Sequence, residues 1–307
     1  MKKLILLPLI LLLLACAKSD DPVTTVDLES ILGVAQSDSP LGGGVFFEDV
    51  NYGDGERQQL DLLFPDNKSP KGVVLFFHGG GFTGGDKAQA FDELLLETMQ
   101  AVLNENIAIV SANYTLLTTP GSQGVISALE DGTLVIDFIQ DRLADLNIPT
   151  NKIVLAGTSA GAGIAQWNGF KDDINAQVQG VLAIAAQSTY NLYEWENVFP
   201  GFSLDDLRQL SPFLQTLFLQ FYGGEPSQKD LDAVDYRDFM DTTDPALYVY
   251  NFAGDELINA QGEIDFDVLY HSFRHSDYLR AKAIEVEQEF SGIFQESPHA
   301  FVIRVLD

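Results

Sequence analysis

Short runs of consecutive apolar residues recur from residue 45 onward: VFFEDV (45–50), QLDLLF (59–64), GVVLFFH (72–78), IAIVSANY (107–114), KIVLAG (152–157), GVLAIAA (180–186) and ALYVYNFAG (246–254). Their length and their Val, Ile, Leu and Phe content predict strands buried on both faces. Stretches with helical spacing follow at 86–106, 126–146 and 160–170, whereas nothing helical separates the first two strands. That order predicts one α/β domain over 44–307, with a mostly parallel central sheet, an antiparallel entry and helices on both faces. The alternation breaks between 187 and 245, a stretch dense in aromatic residues from Tyr190 to Phe239. An excursion of that length between neighbouring strands predicts an inserted cap, with most of its aromatics forming the cap's own small core.

The N-terminal pattern is different. Lys2 and Lys3 precede eleven apolar residues, Leu4 to Leu14, a run too short to span a bilayer comfortably and suited to a secretory leader over 1–15. The run ends in LLAC, and Cys16 is the only cysteine of the chain, with no disulfide partner and no metal co-ligands. LLAC resembles a bacterial lipobox, which implies cleavage before Cys16, a lipid on that residue, and a membrane anchorage at the outer membrane or cell surface. Residues 16–43, rich in Asp, Ser, Pro and Gly, read as a flexible tether with at most one short helix near 28–34.

Cleavage would leave 15 basic against 45 acidic residues, a formal charge of −30. Such a surface repels nucleic acid and anionic polymers, so nucleic-acid binding is excluded, and membrane association has to come from acyl chains rather than a polybasic patch.

The chemistry concentrates in two glycine-rich turns. KIVLAGTSAGAGIAQW runs from a strand through Gly157-Thr158-Ser159-Ala160-Gly161 into a helix, the context a G-x-S-x-G nucleophile elbow requires. Glycines at 157 and 161 permit a turn sharp enough to present the Ser159 hydroxyl, and the following helix N-terminus favours negative charge there. The second turn, HGGGFTGGDK, contains a G-x-G-x-x-G string, yet the next strand ends IVSANY without the acidic residue that a dinucleotide ribose needs. The alternative is an oxyanion site in which Gly80 and Gly81 offer two backbone N–H donors and Ala160 a third. His78 then reads as support for this loop. Asp86 and Gln89 form a capping box at the start of the next helix.

HGGGF followed by GDK, ANYTLL after the next strand, and GTSAGA, in that order, resemble the α/β-hydrolase superfamily. Within it, the likeness is to small carboxylesterases of the hormone-sensitive-lipase and feruloyl/acetylxylan-esterase kind. It is good over 45–190 and loose beyond. Type-B carboxylesterases and cholinesterases share HGGGF and SAGA but are far longer. The resemblance implies a Ser–acid–His triad in that chain order, no metal or organic cofactor, and a small ester substrate, acylated carbohydrates included.

For the acid, the G-D-E-L context after the 246–254 strand is similar to the family's acid turn and points to Asp255, with Glu256 behind it. For the base there are two places. His271 and His275 stand four residues apart but lack the glutamate of a H-E-x-x-H zinc motif, and they open a long helical stretch, a poor place for a loop-borne base. Ser297-Pro298-His299-Ala300-Phe301 follows a short strand near 292–295 and matches the His-x-Phe often found in the family's histidine loop, which points to His299. The resulting expectation is a serine carboxylesterase with Ser159, Asp255 and His299. A serine peptidase of the same fold and a catalytically silent surface-binding lipoprotein stand as alternatives.

Overall fold

The computed structural model describes residues 27–171 and 177–307. The leader, Cys16 and the first part of the tether lie outside the described residues.

The chain opens with α1 (Leu28–Leu32) and β1 (Gln36–Ser37), then β2 (Val45–Asn51), β3 (Gln59–Phe64) and β4 (Val73–Phe77). A 3-10 turn, Lys87–Phe91, leads to α2 (Leu96–Asn104), β5 (Ala108–Ala112), α3 (Val125–Gln140), β6 (Ile153–Thr158), α4 (Ala160–Gly169) and β7 (Val178–Ile184). A helical insertion follows: α5 (Trp195–Val198), α6 (Leu204–Gln209), α7 (Pro212–Tyr222), α8 (Gln228–Ala233) and α9 (Tyr236–Phe239). The chain then returns through β8 (Ala246–Tyr250), α10 (Phe266–His271), α11 (Phe273–Glu285), β9 (Phe290–Gly292) and α12 (Pro298–Leu306).

All nine strands form one sheet in the order β1-β2-β3-β5-β4-β6-β7-β8-β9. The pairs β1–β2, β2–β3 and β3–β5 are antiparallel, and every pair from β5 across to β9 is parallel. The mostly parallel sheet with an antiparallel entry is therefore as the apolar runs predict. Each central strand is buried on both faces, and β4 illustrates the two-residue period. Val73, Leu75 and Phe77 enter one core with Ile136 of α3, Ile164 of α4 and Leu279 of α11. Val74 and Phe76 enter the other with Met99 and Val102 of α2 and Phe301 of α12.

Within the stretch read as a tether, the one short helix expected near 28–34 is present, and it is docked on the domain. Asp27 caps α1 by accepting from the Ser30 amide, and Gly33 closes the helix in the left-handed conformation. The i, i+4 pair Leu28 and Leu32 is buried in the core that also holds Phe47. Two leucines one turn apart are enough to dock a five-residue helix.

The insertion contains the cap core that the aromatics predict. Trp195, Phe199, Phe202, Leu204, Leu207 and Phe218 pack together, and they include Val268 and Leu269 of α10 in the same cluster.

Strand order reverses at β4, which lies between β5 and β6. The ends of β4 and β6 emerge side by side, Phe77 opposite Gly157. This brings the turns that start at His78 and Ser159 together at the carboxyl end of the sheet, the place where open α/β sheets hold their ligands.

Candidate active site

Ser159 sits at the N-cap position of α4 with φ 52° and ψ −116°, a left-handed backbone that costs a non-glycine residue roughly 1–3 kcal/mol. Its neighbours impose that turn. A Cβ on Gly157 would overlap the Gly161 carbonyl, and one on Gly161 would overlap the Phe77 carbonyl, so strand and helix approach closer than any side chain allows. The Ser159 side chain accepts no cap hydrogen bond from its own helix, which leaves its hydroxyl free for another partner.

The hydroxyl meets His271. Ser159 Oγ lies 3.1 Å from His271 Nε2, and His271 Nδ1 lies 2.8 Å from Asp267 Oδ1. With Nδ1–H donating to the carboxylate, Nε2 presents its lone pair to the serine O–H. The three residues thus occur in the chain order serine, acid, histidine, with the last two on one turn of α10.

The sequence pointed to Asp255 and His299, and the arrangement corrects both. His299 is the second residue of α12, not a loop residue: Ser297 caps that helix and Pro298 opens it. Its ring leans on Ser297 Oγ at 3.2 Å, and it is not among the residues lining the cavity at Ser159. Asp255 pairs with Arg274 at 3.1 Å instead of with a histidine. The helical stretch that argued against His271 is in fact two helices. α10 ends at His271, Ser272 caps α11 by accepting from the Arg274 amide, and the histidine stands at the junction. Two signals could have found it: a capping serine directly after His271, and a second His-x-Phe at His271-Ser272-Phe273.

The junction is held by side chains of α11 and of the sheet end. His275 Nε2 donates to the Leu269 carbonyl at 2.9 Å, Gln187 Nε2 to that of Tyr270 at 2.8 Å, and Asn251 Nδ2 to that of Ser272 at 2.8 Å. Carbonyls at a helix C-terminus have no partner within the helix, so these donors complete the end of α10 and fix the direction of the imidazole. Asn251 is itself locked to both backbone groups of Ala186. His275 is fully buried and takes the Ser188 amide at Nδ1, and burial lowers its pKa to about 4, so it is a neutral structural donor. The two histidines therefore point to different partners, one to Ser159 and one to backbone.

The glycine turn packs flush against the elbow: a Cβ on Gly79 would come within 3.2 Å of the Thr158 carbonyl. Gly80 and Gly81 adopt φ of 121° and 59°, open to glycine and strained for other residues. Among the described residues, their amides have no acceptor within the chain, and Ala160 supplies the first N–H of α4. All three line the same cavity as Ser159 and His271.

His78 supports this turn, as the sequence suggests. Its Nδ1 donates to the Gly79 carbonyl at 2.7 Å, its Nε2 faces Arg57 at 3.3 Å, and its ring stacks on Tyr114 at 4.3 Å. Burial, with the Arg57 charge adding to it, lowers its pKa to about 4 and keeps it neutral. Arg57 also donates to the Gly85 carbonyl and to Asn113. Asp86 caps the 3-10 turn as expected, but Gln89 accepts from the Gly79 amide instead of completing a capping box.

The cavity measures about 630 Å³ and runs from Ser159 under α6 and α7. Leu and Phe are the commonest residues of its walls; the Arg208 guanidinium that reaches it is engaged by Glu225, Tyr193 and Gln215.

A family model described as BD-FAE matches residues 60–281, a span that includes Ser159, Asp267 and His271 and stops before His299. Two curated plant proteins named probable isoprenylcysteine alpha-carbonyl methylesterases match shorter stretches. ICMEL1 of Arabidopsis thaliana is 32% identical over 146 residues, 47% of this chain and 29% of that protein. ICME of Oryza sativa subsp. japonica is 33% identical over 117 residues, 38% of this chain and 26% of that protein. The chain thus matches less than a third of the length of either relative.

Among solved structures, a truncated carbohydrate esterase from gut microbiota superposes with a TM-score of 0.63 at 13% identity, over 88% of this chain and 98% of that one. A thermophilic esterase of Thermogutta terrifontis gives 0.53 at 15%, over 82% and 80%. At such identities the likeness is one of fold.

Proposed function

The chain belongs to the BD-FAE family, an esterase family of α/β-hydrolase fold, and on that footing we propose that it is a serine carboxylesterase acting through Ser159, His271 and Asp267. The continuous contact from Ser159 Oγ through the imidazole to Asp267 carries the reading. His271 takes the serine proton as Oγ attacks the ester carbonyl, and Asp267 orients the ring and stabilises the imidazolium. The carbonyl oxygen gains charge against the N–H groups of Gly80, Gly81 and Ala160, each such donor contributing roughly 3 kcal/mol in the transition state. His271 then returns the proton to the departing alcohol, and water cleaves the acyl-enzyme by the same steps in reverse.

The carbohydrate esterase among the structural neighbours supports an acylated sugar as one alcohol partner. The LLAC junction supports export and a lipid on Cys16.

The test is paired. A fluorophosphonate probe should label Ser159, and Ser159→Ala should abolish both labelling and hydrolysis of nitrophenyl acetate. An unlabelled serine would favour a silent binding protein, and faster turnover of a matched amide would favour a peptidase.

A further inference from the structure

The geometry points to a substrate class for this site: esters whose acyl half is a saturated apolar chain of medium length. The inference rests on the esterase reading above. Because His271 must return its proton to the leaving oxygen, the alcohol half of a bound ester lies at the His271 end of the cavity. The carbonyl oxygen faces Gly80 and Gly81, so the acyl chain extends the other way, beneath α7.

That end is closed by three mutually edge-packed rings, Phe82, Tyr190 and Phe221, at centroid separations of 5.3 to 6.0 Å. Leu117, whose amide donates to the Phe82 carbonyl, and Leu217, one turn before Phe221 on α7, line the cavity as well. The Tyr190 hydroxyl is turned away, donating to the Ala160 carbonyl at 2.8 Å. Phe82, at φ 59°, and Tyr190 are both buried, so the end wall is fixed in place.

The rings at this end offer apolar surface, and the unpartnered Thr158 hydroxyl of the lining belongs to the residue next to Ser159 rather than to this wall. A hydroxycinnamoyl group would bring a phenol that needs a hydrogen bond, and the nearest cation, Arg208, already spends its guanidinium on Glu225, Tyr193 and Gln215. An acetyl group would reach little of the apolar wall formed by Phe82, Tyr190 and Phe221. A chain of several methylenes fills the space and needs nothing polar in return.

The experiment is a nitrophenyl series from acetate to dodecanoate, with methyl ferulate and methyl octanoate as a matched pair. Each methylene buried should raise kcat/KM about fourfold until the cavity is full, after which the series levels or falls. Leu217→Trp, which fills the closed end, should move the optimum to a shorter chain and lower the octanoate-to-acetate ratio at least tenfold.

A series flat or falling from acetate onward would overturn the inference, as would a preference for ferulate over octanoate. So would an optimum that Leu217→Trp leaves in place while the variant melts like the wild type. In all these cases the esterase reading survives. Failure to cleave any ester, acetate included, would overturn that reading and this inference with it.

Discussion

Asp267 and His271 face each other across one turn of α10, and their 2.8 Å contact aims the second imidazole nitrogen at Ser159. The proposed acid and base are therefore placed by one local element, and only the serine comes from a distant part of the chain. His271→Ala should lower kcat on a nitrophenyl ester by about 10⁴-fold, the usual consequence of removing a triad base. His299→Ala, at the head of α12, should stay within a factor of two of wild type. Measuring both side by side decides the assignment, and a reversed outcome would restore His299.

The Asp267 side chain is 66% exposed, unlike the buried acid of many triads. Water and salt screen its effect on the imidazolium. Asp267→Asn should accordingly cost less than the roughly 10⁴-fold of a buried triad acid, on the order of 10–100-fold in kcat. The wild-type rate should also decline with ionic strength more than that of the variant. Asp255→Asn breaks only the ion pair with Arg274 and should leave kcat unchanged.

Asn251 touches none of the reacting atoms but ties Ser272 to the end of β7. Asn251→Ala should lower kcat about tenfold with little change in KM, because the base is displaced while the binding cavity remains. An unchanged kcat would mean that His275 and Gln187 hold the junction without it.

His78 and His275 stay neutral in the fold down to about pH 4. In the unfolded chain each takes up a proton below about pH 6.5. The unfolded state then binds more protons between those limits, so stability is full above pH 6.5 and drops as pH falls towards 4. The loss amounts to roughly 3 kcal/mol per histidine. Burial raises the carboxyl groups of Asp61 and Asp235, which favour the folded form as they protonate, so they offset part of this at the acid end. Urea midpoints at pH 7.5, 6 and 4.5 should show the decline, and His275→Asn should flatten it.

The elbow makes the same point for packing. Gly161→Ala forces a methyl into the Phe77 carbonyl at the centre of the sheet. The expected loss exceeds about 4 kcal/mol, the range reserved for severe backbone conflicts, and little soluble protein should be recovered. A normal melting temperature would contradict the close approach of α4 to β4.

What the sequence revealed depended on range. Strands such as β4 and β6 could be read because burial on both faces leaves an uninterrupted apolar run, and the elbow because its steric demands fall within five residues. The base could not be read in the same way. His271 and His299 each begin a His-x-Phe, and what separates them is a helix boundary at Ser272 and the path of the chain after β8, both set by contacts with residues 186, 187 and 251. The helix at 28–34 was legible, but its docking was not, because a composition rich in Asp, Ser and Gly outweighed two leucines whose spacing gives the helix an apolar face.

The aromatic cluster of the insertion has a mechanical consequence. Val268 and Leu269, in the turn between Asp267 and His271, belong to the same packed body as Trp195, Phe202 and Phe218, and Trp195 and Phe199 rest on the His275 ring. The cover of the cavity and the helix that carries His271 thus share one packed core, tied to the sheet end by His275, Gln187 and Asn251. Loosening the cover would therefore also loosen the helix that holds the His271 ring against Ser159.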